Sequence, residues 1–344
     1  MSTPTLRAAS VALAASCLLL LGGCPQPAPP EPPPWSALPD AASAGWLMNV
    51  WASGPSDVWA VGGSPGAGVV QHFDGTSWQA RDLGRVTPLL DWTFGFAADQ
   101  VWVVGQGGTL LRWDGAAFTP EDSGTTEDLW GLWGSAPDDL WAVGGSGVAP
   151  SLGVLLHRDA SGWSSVPLPT LSRANVHALF KVWGSGASDV WAVGQHGLLL
   201  HYDGTAWEER PTGTGEDLVA VWGTGPEHVA IVGGRANGVL LLWDGVALRS
   251  VDLSYAPGLN GVWLRDPGVV HVAGVRGTLR SYAWDGTLLR DDDGATTLDF
   301  HSIHGVVAPS VTDESTLYAV GGSLFSTAAP YRGLAYTRVL DPGE

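Results

Sequence analysis

Cysteine is nearly missing from this chain: Cys17 and Cys24 are its only two in 344 residues. Both lie near the N-terminus, so no disulfide framework can staple the remaining residues together. Lysine is scarcer still, with Lys181 alone. Against 16 basic residues stand 34 acidic ones, for a formal net charge of −18. That sign repels nucleic-acid phosphates and anionic lipid surfaces. Charged residues make up only 15% of the chain and hydrophobic ones 45%, which excludes a solvated disordered polymer. No segment sustains a helical period. No G-x-S-x-G nucleophile elbow occurs, and the glycines sit at turns and do not build a phosphate-cradling loop. No nucleic-acid partner, metal or cofactor is implied.

What the chain does have is glycine (48), proline (24) and tryptophan (19). Residues 1–23 read as a targeting segment. One basic residue, Arg7, precedes an uncharged stretch from Ala8 to Gly23, too short for the roughly 20 residues of a membrane span but suited to a signal-peptide core. The run Leu21-Gly22-Gly23-Cys24 resembles the lipobox of bacterial lipoproteins. The resemblance implies cleavage before Cys24 and acylation of its thiol, anchoring the protein to the membrane by an N-terminal lipid. Residues 24–43 then read as a Pro-rich tether, "PQPAPPEPPPW", in extended polyproline conformation.

Residues 44–344 are periodic. An aromatic-small-apolar-Gly anchor recurs as Trp59-Ala-Val-Gly62, Trp102-Val-Val-Gly105, Trp141-Ala-Val-Gly144 and Trp191-Ala-Val-Gly194. It returns, weakened, at Ala230, His271 and Tyr318. Seven copies at a mean spacing of about 43 residues fit propeller blades. Each copy splits into four short apolar runs. The first ends in an aromatic (Trp51, Phe94, Trp133, Trp183, Trp222, Trp263). The third ends in Asp-Gly, as at Asp203-Gly204, which predicts a type I′ hairpin with positive φ at both central residues. The fold expected is all-β, a seven-bladed β-propeller of four-stranded antiparallel blades, with the repeated tryptophans in the blade cores. Trp92 and Trp130 fall outside the repeat positions. Trp35 precedes Trp51 at the spacing that separates Trp78 from Phe94, so it heads an extra fourth-strand segment. The C-terminal "YRGLAYTRVL" reads as the end of a third strand plus a fourth strand with Tyr336 in the tryptophan slot. Either could close the ring.

The blade pattern resembles the repeats of the BNR/sialidase and Ycf48-like propellers and the tectonin repeats of some lectins. The whole arrangement resembles Trp-rich repeat lipoproteins of high-GC Gram-negative bacteria. It departs from the sialidase Asp-box, since Asp203 and Gly204 are adjacent. The resemblance therefore implies a fold and leaves three functions open: a non-catalytic binding scaffold for a protein or envelope polysaccharide, a glycan-acting enzyme of sialidase-like architecture, or a tectonin-like lectin. Acidic and arginine side chains meeting at the axial mouth would mark the enzyme; a mouth of backbone, Gln and aliphatic groups would mark the binder. His72, His157 and His201 recur two residues before an Asp and read as packing. His301 and His304 have helical spacing, and "RDDDG" at 290–294 reads as a solvated acidic turn. Length variation concentrates in loops between second and third strands and between blades, which share one face in propellers. That rim predicts binding residues Gln106, Arg173, Gln195, His196, Arg235, Asn237 and Arg276. The protein is expected to act as a monomer on the outer membrane, facing the periplasm or the cell surface. Replacing the acylation site, Cys24→Ser, should move the protein from the membrane to the soluble fraction on cell fractionation; continued membrane association would refute the lipid anchor.

Overall fold

A computed structural model describes residues 34–307, 315–324 and 329–340; Cys24 and the signal segment lie outside them. No helix among these residues is long and apolar enough to cross a membrane. The chain forms seven four-stranded antiparallel sheets, each a blade of a propeller. Blade four is typical, with strands Leu179–Gly186, Asp189–Gly194, Leu199–Tyr202 and Trp207–Glu209. The first strand of every blade lies nearest the axis, where seven such strands enclose a gap of only about 20 Å³. The axis is thus plugged by side chains and does not form an open pore.

The repeated anchor follows from this geometry. Its tryptophans, Trp59, Trp102, Trp141 and Trp191, are each at most 3% exposed. Its glycine leaves room for backbone. A Cβ on Gly62, Gly144 or Gly233 would stand about 2 Å from the carbonyl oxygen that leads into the first strand (Trp46, Asp128 and Asp217 respectively). The first-strand aromatics bridge blades. The ring of Trp51 covers Gly95 of the next blade, where a Cβ would approach to 2.7 Å. Trp133 covers Gly184, Trp183 covers Gly223 and Trp263 covers Gly305 in the same way.

The histidines His72, His157 and His201 are packing elements. Each Nε2–H donates to an aspartate of the neighbouring strand, Asp57 at 2.6 Å, Asp139 at 2.7 Å and Asp189 at 2.7 Å. Each ring also lies 4.0–4.2 Å from an anchor tryptophan. Burial alone would raise the carboxyls of Asp57 and Asp189, but the histidine and serine hydrogen bonds outweigh it and hold both below the usual range.

Three expectations are corrected. The Asp-Gly turns carry positive φ at glycine only, for example Gly75 at 90° and Gly204 at 90°. In four of the five the aspartate instead accepts two backbone N–H groups, as Asp203 does from Thr205 and Ala206, and Asp285 accepts one, so the turn is capped by a side chain and is not type I′. Second, Gly333–Val339 is one continuous third strand, with Tyr336 inside it. Blade seven is completed by the N-terminal Ser36–Ala37, which pairs with that strand. These residues and the helical turn Pro39–Ala42 pack with the propeller, which thus includes residues before 44. Third, the acidic 290–294 turn is tied to arginines. Asp291 and Asp293 pair with Arg280 at 3.2 and 2.7 Å. Asp292 pairs with Arg290 and lies 3.6 Å from Arg338, which is 2% exposed. Asp292 also accepts from Trp35 Nε1, so this knot joins blade six to the closing blade. His301 and His304, for all their spacing, sit on the first strand of blade seven, Asp299–Val306.

His304 occupies the seventh first-strand aromatic slot, opposite Tyr318. Burial pushes its pKa down to about 4, against a hydrogen bond to the Ala52 carbonyl that opposes the shift. A native pKa below the unfolded value of about 6.5 means that the unfolded chain binds the proton more readily. Stability from this group is present above about pH 6.5 and is lost as pH falls towards 4. Denaturant unfolding of His304→Phe should therefore show a smaller loss between pH 6.5 and 4 than the parent, by up to about 3 kcal/mol; parallel pH curves would show that His304 is not buried neutral.

Candidate functional site

At or next to the start of each first strand stands a leucine, or in blade seven a phenylalanine: Leu47, Leu90, Leu129, Leu179, Leu218, Leu259 and Phe300, each paired with an anchor glycine of the second strand. Immediately after it the register slips by one residue in every blade. The extra residue of such a bulge is released from the ladder and its side chain is re-aimed. The seven extra residues are Met48, Asp91, Trp130, Phe180, Val219, Asn260 and His301. All seven line one cup of about 640 Å³ at one end of the axis, a volume typical of small-molecule sites.

Lys181 adds to this ring from blade four. Its ammonium crosses blade three, donates to the Trp130 carbonyl at 2.5 Å and lies 4.4 Å from the Trp92 ring centre. Gly131 makes the crossing feasible, because a Cβ there would come within 2.9 Å of the Lys181 backbone. Asp91 is 2% exposed, and neither carboxyl oxygen has a hydrogen-bond partner. Burial pushes its carboxyl well above the usual range, although the charge of Lys181 works against the shift. Burial likewise pulls Lys181 down, with Asp91 opposing. His301, 9% exposed, donates from Nδ1 to the Leu47 carbonyl at 3.0 Å, and its Nε2 is left without a partner.

The seven rim residues predicted from loop variation do share the face that carries the cup, but they do not converge. Arg235 and Arg276 line it. Gln106, Arg173, Gln195, His196 and Asn237 do not. Gln195 braces the long loop of blade three, donating to the Gly147 carbonyl at 3.0 Å and accepting from the His177 N–H at 2.9 Å. Arg173 donates to the His196 carbonyl at 2.7 Å. Asn237 is exposed beside the turn at Gly234. Arg235 itself is held by Asp217, with Nε and Nη2 at 3.0 and 2.8 Å from one oxygen.

The short turns after the second strands show backbone strain. Gln106–Gly108, Gln195–Gly197 and Val275–Gly277 have one geometry, in which the central residue stands at positive φ. Blade two fills that position with Gly107 at 64°; blades four and six use His196 at 58° and Arg276 at 57°. The other two non-glycine residues at positive φ among those described, Ser254 at 45° and Tyr255 at 74°, lie in a between-blade loop of the same face. Such positions cost an L-residue about 1–2 kcal/mol, and strain of this kind clusters where function holds a side chain in place.

The loop variation points to the face on which the cup lies, but not to Asp91, Lys181 and His301, which line it. The signal was available: they occupy or follow the one position, after the repeated leucine, at which all seven copies differ.

No protein-family model and no curated protein sequence matches the chain. Solved structures do. Ycf48 bound to a D1 peptide superimposes with a TM-score of 0.64 at 16% identity, covering 90% of this chain and 97% of that one. Ycf48 from Cyanidioschyzon merolae gives 0.63 at 17% identity, over 89% and 99%. The WD40 repeats of RRP9 give 0.66 at 10% identity, over 90% and 99%. At these identities the likeness establishes the class, a seven-bladed β-propeller. Its blades are similar to those of Ycf48.

Arg276 is exposed and its guanidinium makes no hydrogen bond or ion pair among the described residues, whose contact to it is Asp299 accepting from its backbone N–H at 2.9 Å. Arg276→Gly should accordingly raise unfolding stability by about 1 kcal/mol; a destabilised variant would show that the side chain serves the fold.

Proposed function

We propose that this protein is a lipid-anchored cell-envelope propeller that binds a partner through the axial cup, without catalysis. The observation that carries the reading is the pair of buried, unpartnered groups, on Asp91 and His301, among the residues that line a preformed cup. Buried polar groups left unpaired are costly in a fold and are complemented when a ligand arrives. The strained His196 and Arg276 on the same face support it. The tether supports an anchored module, with the lipid at Cys24 holding it in the outer membrane and the acidic surface keeping it clear of anionic headgroups. The similar Ycf48 propeller is known bound to a D1 peptide, which supports the use of such a fold as a binding scaffold.

Arginine and acidic side chains do meet at the mouth, the combination expected of a glycan-acting enzyme. Glycoside hydrolysis in most such enzymes employs two carboxyl groups in separate roles. Here Asp217 is engaged by Arg235, Asp299 accepts the Arg276 backbone N–H, and no tyrosine or glutamate lines the cup. Asp91 alone accepts no hydrogen bond, which favours binding over turnover.

The test uses the detergent-solubilised full chain as bait for envelope extract. A component held by the parent should also be held by a variant of the opposite face, Val246→Ser, and be lost with the double variant His196→Gly/Arg276→Gly. Equal retention by all three proteins, or by none, would overturn the assignment to this face.

A further inference from the structure

The groups that face the cup alternate in kind around the ring. Asp91 on blade two and His301 on blade seven present unpartnered buried atoms. Lys181 on blade four retains N–H donors beyond the one given to Trp130, and Arg276 on blade six presents a whole guanidinium. Next to Asp91 around the ring stand two aromatic walls, Trp130 and Phe180, in an edge contact with centres 6.2 Å apart, and the Lys181 ammonium reaches back across blade three to the Trp92 ring. The Trp130 ring is fixed by its Nε1–H, which donates to the Gly145 carbonyl at 2.8 Å.

A ligand complementary to this cup must donate and accept in several directions within a small round space, and must also offer an apolar face. Hydroxyl groups donate and accept at once. A ring bearing them around its edge, with C–H groups on its faces, meets both demands, because the partly positive C–H groups suit the negative face of an indole. An extended peptide lays its donors and acceptors along a line and suits a strand edge or groove. A strongly charged ligand of either sign would meet like charge, from Asp299 or from Lys181 and Arg276. We propose that the axial cup binds a neutral saccharide unit, stacked on Trp130 and Phe180 and hydrogen-bonded through its hydroxyls to Asp91 and His301. This rests on the binding function proposed above and names its ligand class. Since only one of the carboxyls lining the cup is free of hydrogen bonds, the sugar is bound and not cleaved.

The test titrates the full chain with maltopentaose, cellopentaose and the pentamer of N-acetylglucosamine, reading tryptophan emission, alongside a neutral and an acidic peptide of similar length. At least one saccharide should shift the emission saturably. Asp91→Leu, which fills the same space without polar atoms, should weaken that response about tenfold or more, while its melting curve reports whether it is folded. Trp130→Phe provides a second variant, expected to weaken binding by loss of the larger stacking surface. No saturable response to any saccharide, an unchanged affinity in both variants, or an Asp91-dependent response to a peptide alone would each overturn the proposal. Capture of an envelope component by the mouth face, with no saccharide response, would leave the binding function standing and remove only this ligand.

Discussion

Everything in this molecule hangs on an indole lying over a glycine. Trp51, Trp133, Trp183 and Trp263 each reach from one blade onto a glycine of the next, and a methyl group at that glycine would collide with the ring. Burying an indole removes roughly 150–250 Å² from water, worth several kcal/mol before entropy is counted. The contact also sets the angle between adjacent sheets, because the ring is the wedge that separates them. Where the receiving residue changes, the wedge changes with it. Blade six offers Leu264, and Trp222 turns aside, donating to the Leu264 carbonyl at 3.3 Å and meeting His304 edge-on at 5.3 Å. Blade one offers Ala52, and the ring that faces it is the smaller imidazole of His304.

This wedge leaves the axial cup free to vary. With first strands pinned by aromatic-on-glycine contacts at one end and by backbone against anchor glycines at the other, the bulge between can carry any side chain without disturbing the ring. Seven equivalent positions are consequently occupied by seven different residues. A scaffold that repeats a sequence almost verbatim has placed its diversity at the symmetry axis, where all seven blades can address one ligand. The lone lysine of the chain stands there too, and its environment combines an indole face, a carbonyl and a buried carboxyl.

The architecture was legible because its causes are local and repeated. Apolar runs of four to eight residues, Asp-Gly turns and a fixed aromatic spacing each reflect one strand or one turn, and seven copies average out the irregular ones. What escaped were contacts between remote segments. That His304 is an aromatic substitute was hidden by the longer loop between the first two strands of blade seven. That the 290–294 acidic run pairs with Arg338 depends on blades six and seven coming together. The Gln195-His196 pair interrupts the repeat conspicuously, yet Gln195 braces a neighbouring loop and His196 owes its prominence to a backbone that glycine would suit better. Asp91 is one acid among many in the sequence, and nothing local to it predicts that both its oxygens are buried without a hydrogen-bond partner.

The completion of blade seven by Ser36–Ala37 bears on how the ring is assembled. The strand it needs, Gly333–Val339, is synthesised roughly 300 residues later. Six blades can form in order from neighbouring hairpins, as contacts of short sequence separation do. The seventh must wait until both ends are present. During that interval the facing sides of the first and last blades expose apolar surface, through which β-rich intermediates associate wrongly. Closure is therefore a single late event of high contact order, and the short segment around Trp35 acts as a latch whose arrival converts an open arc into a ring.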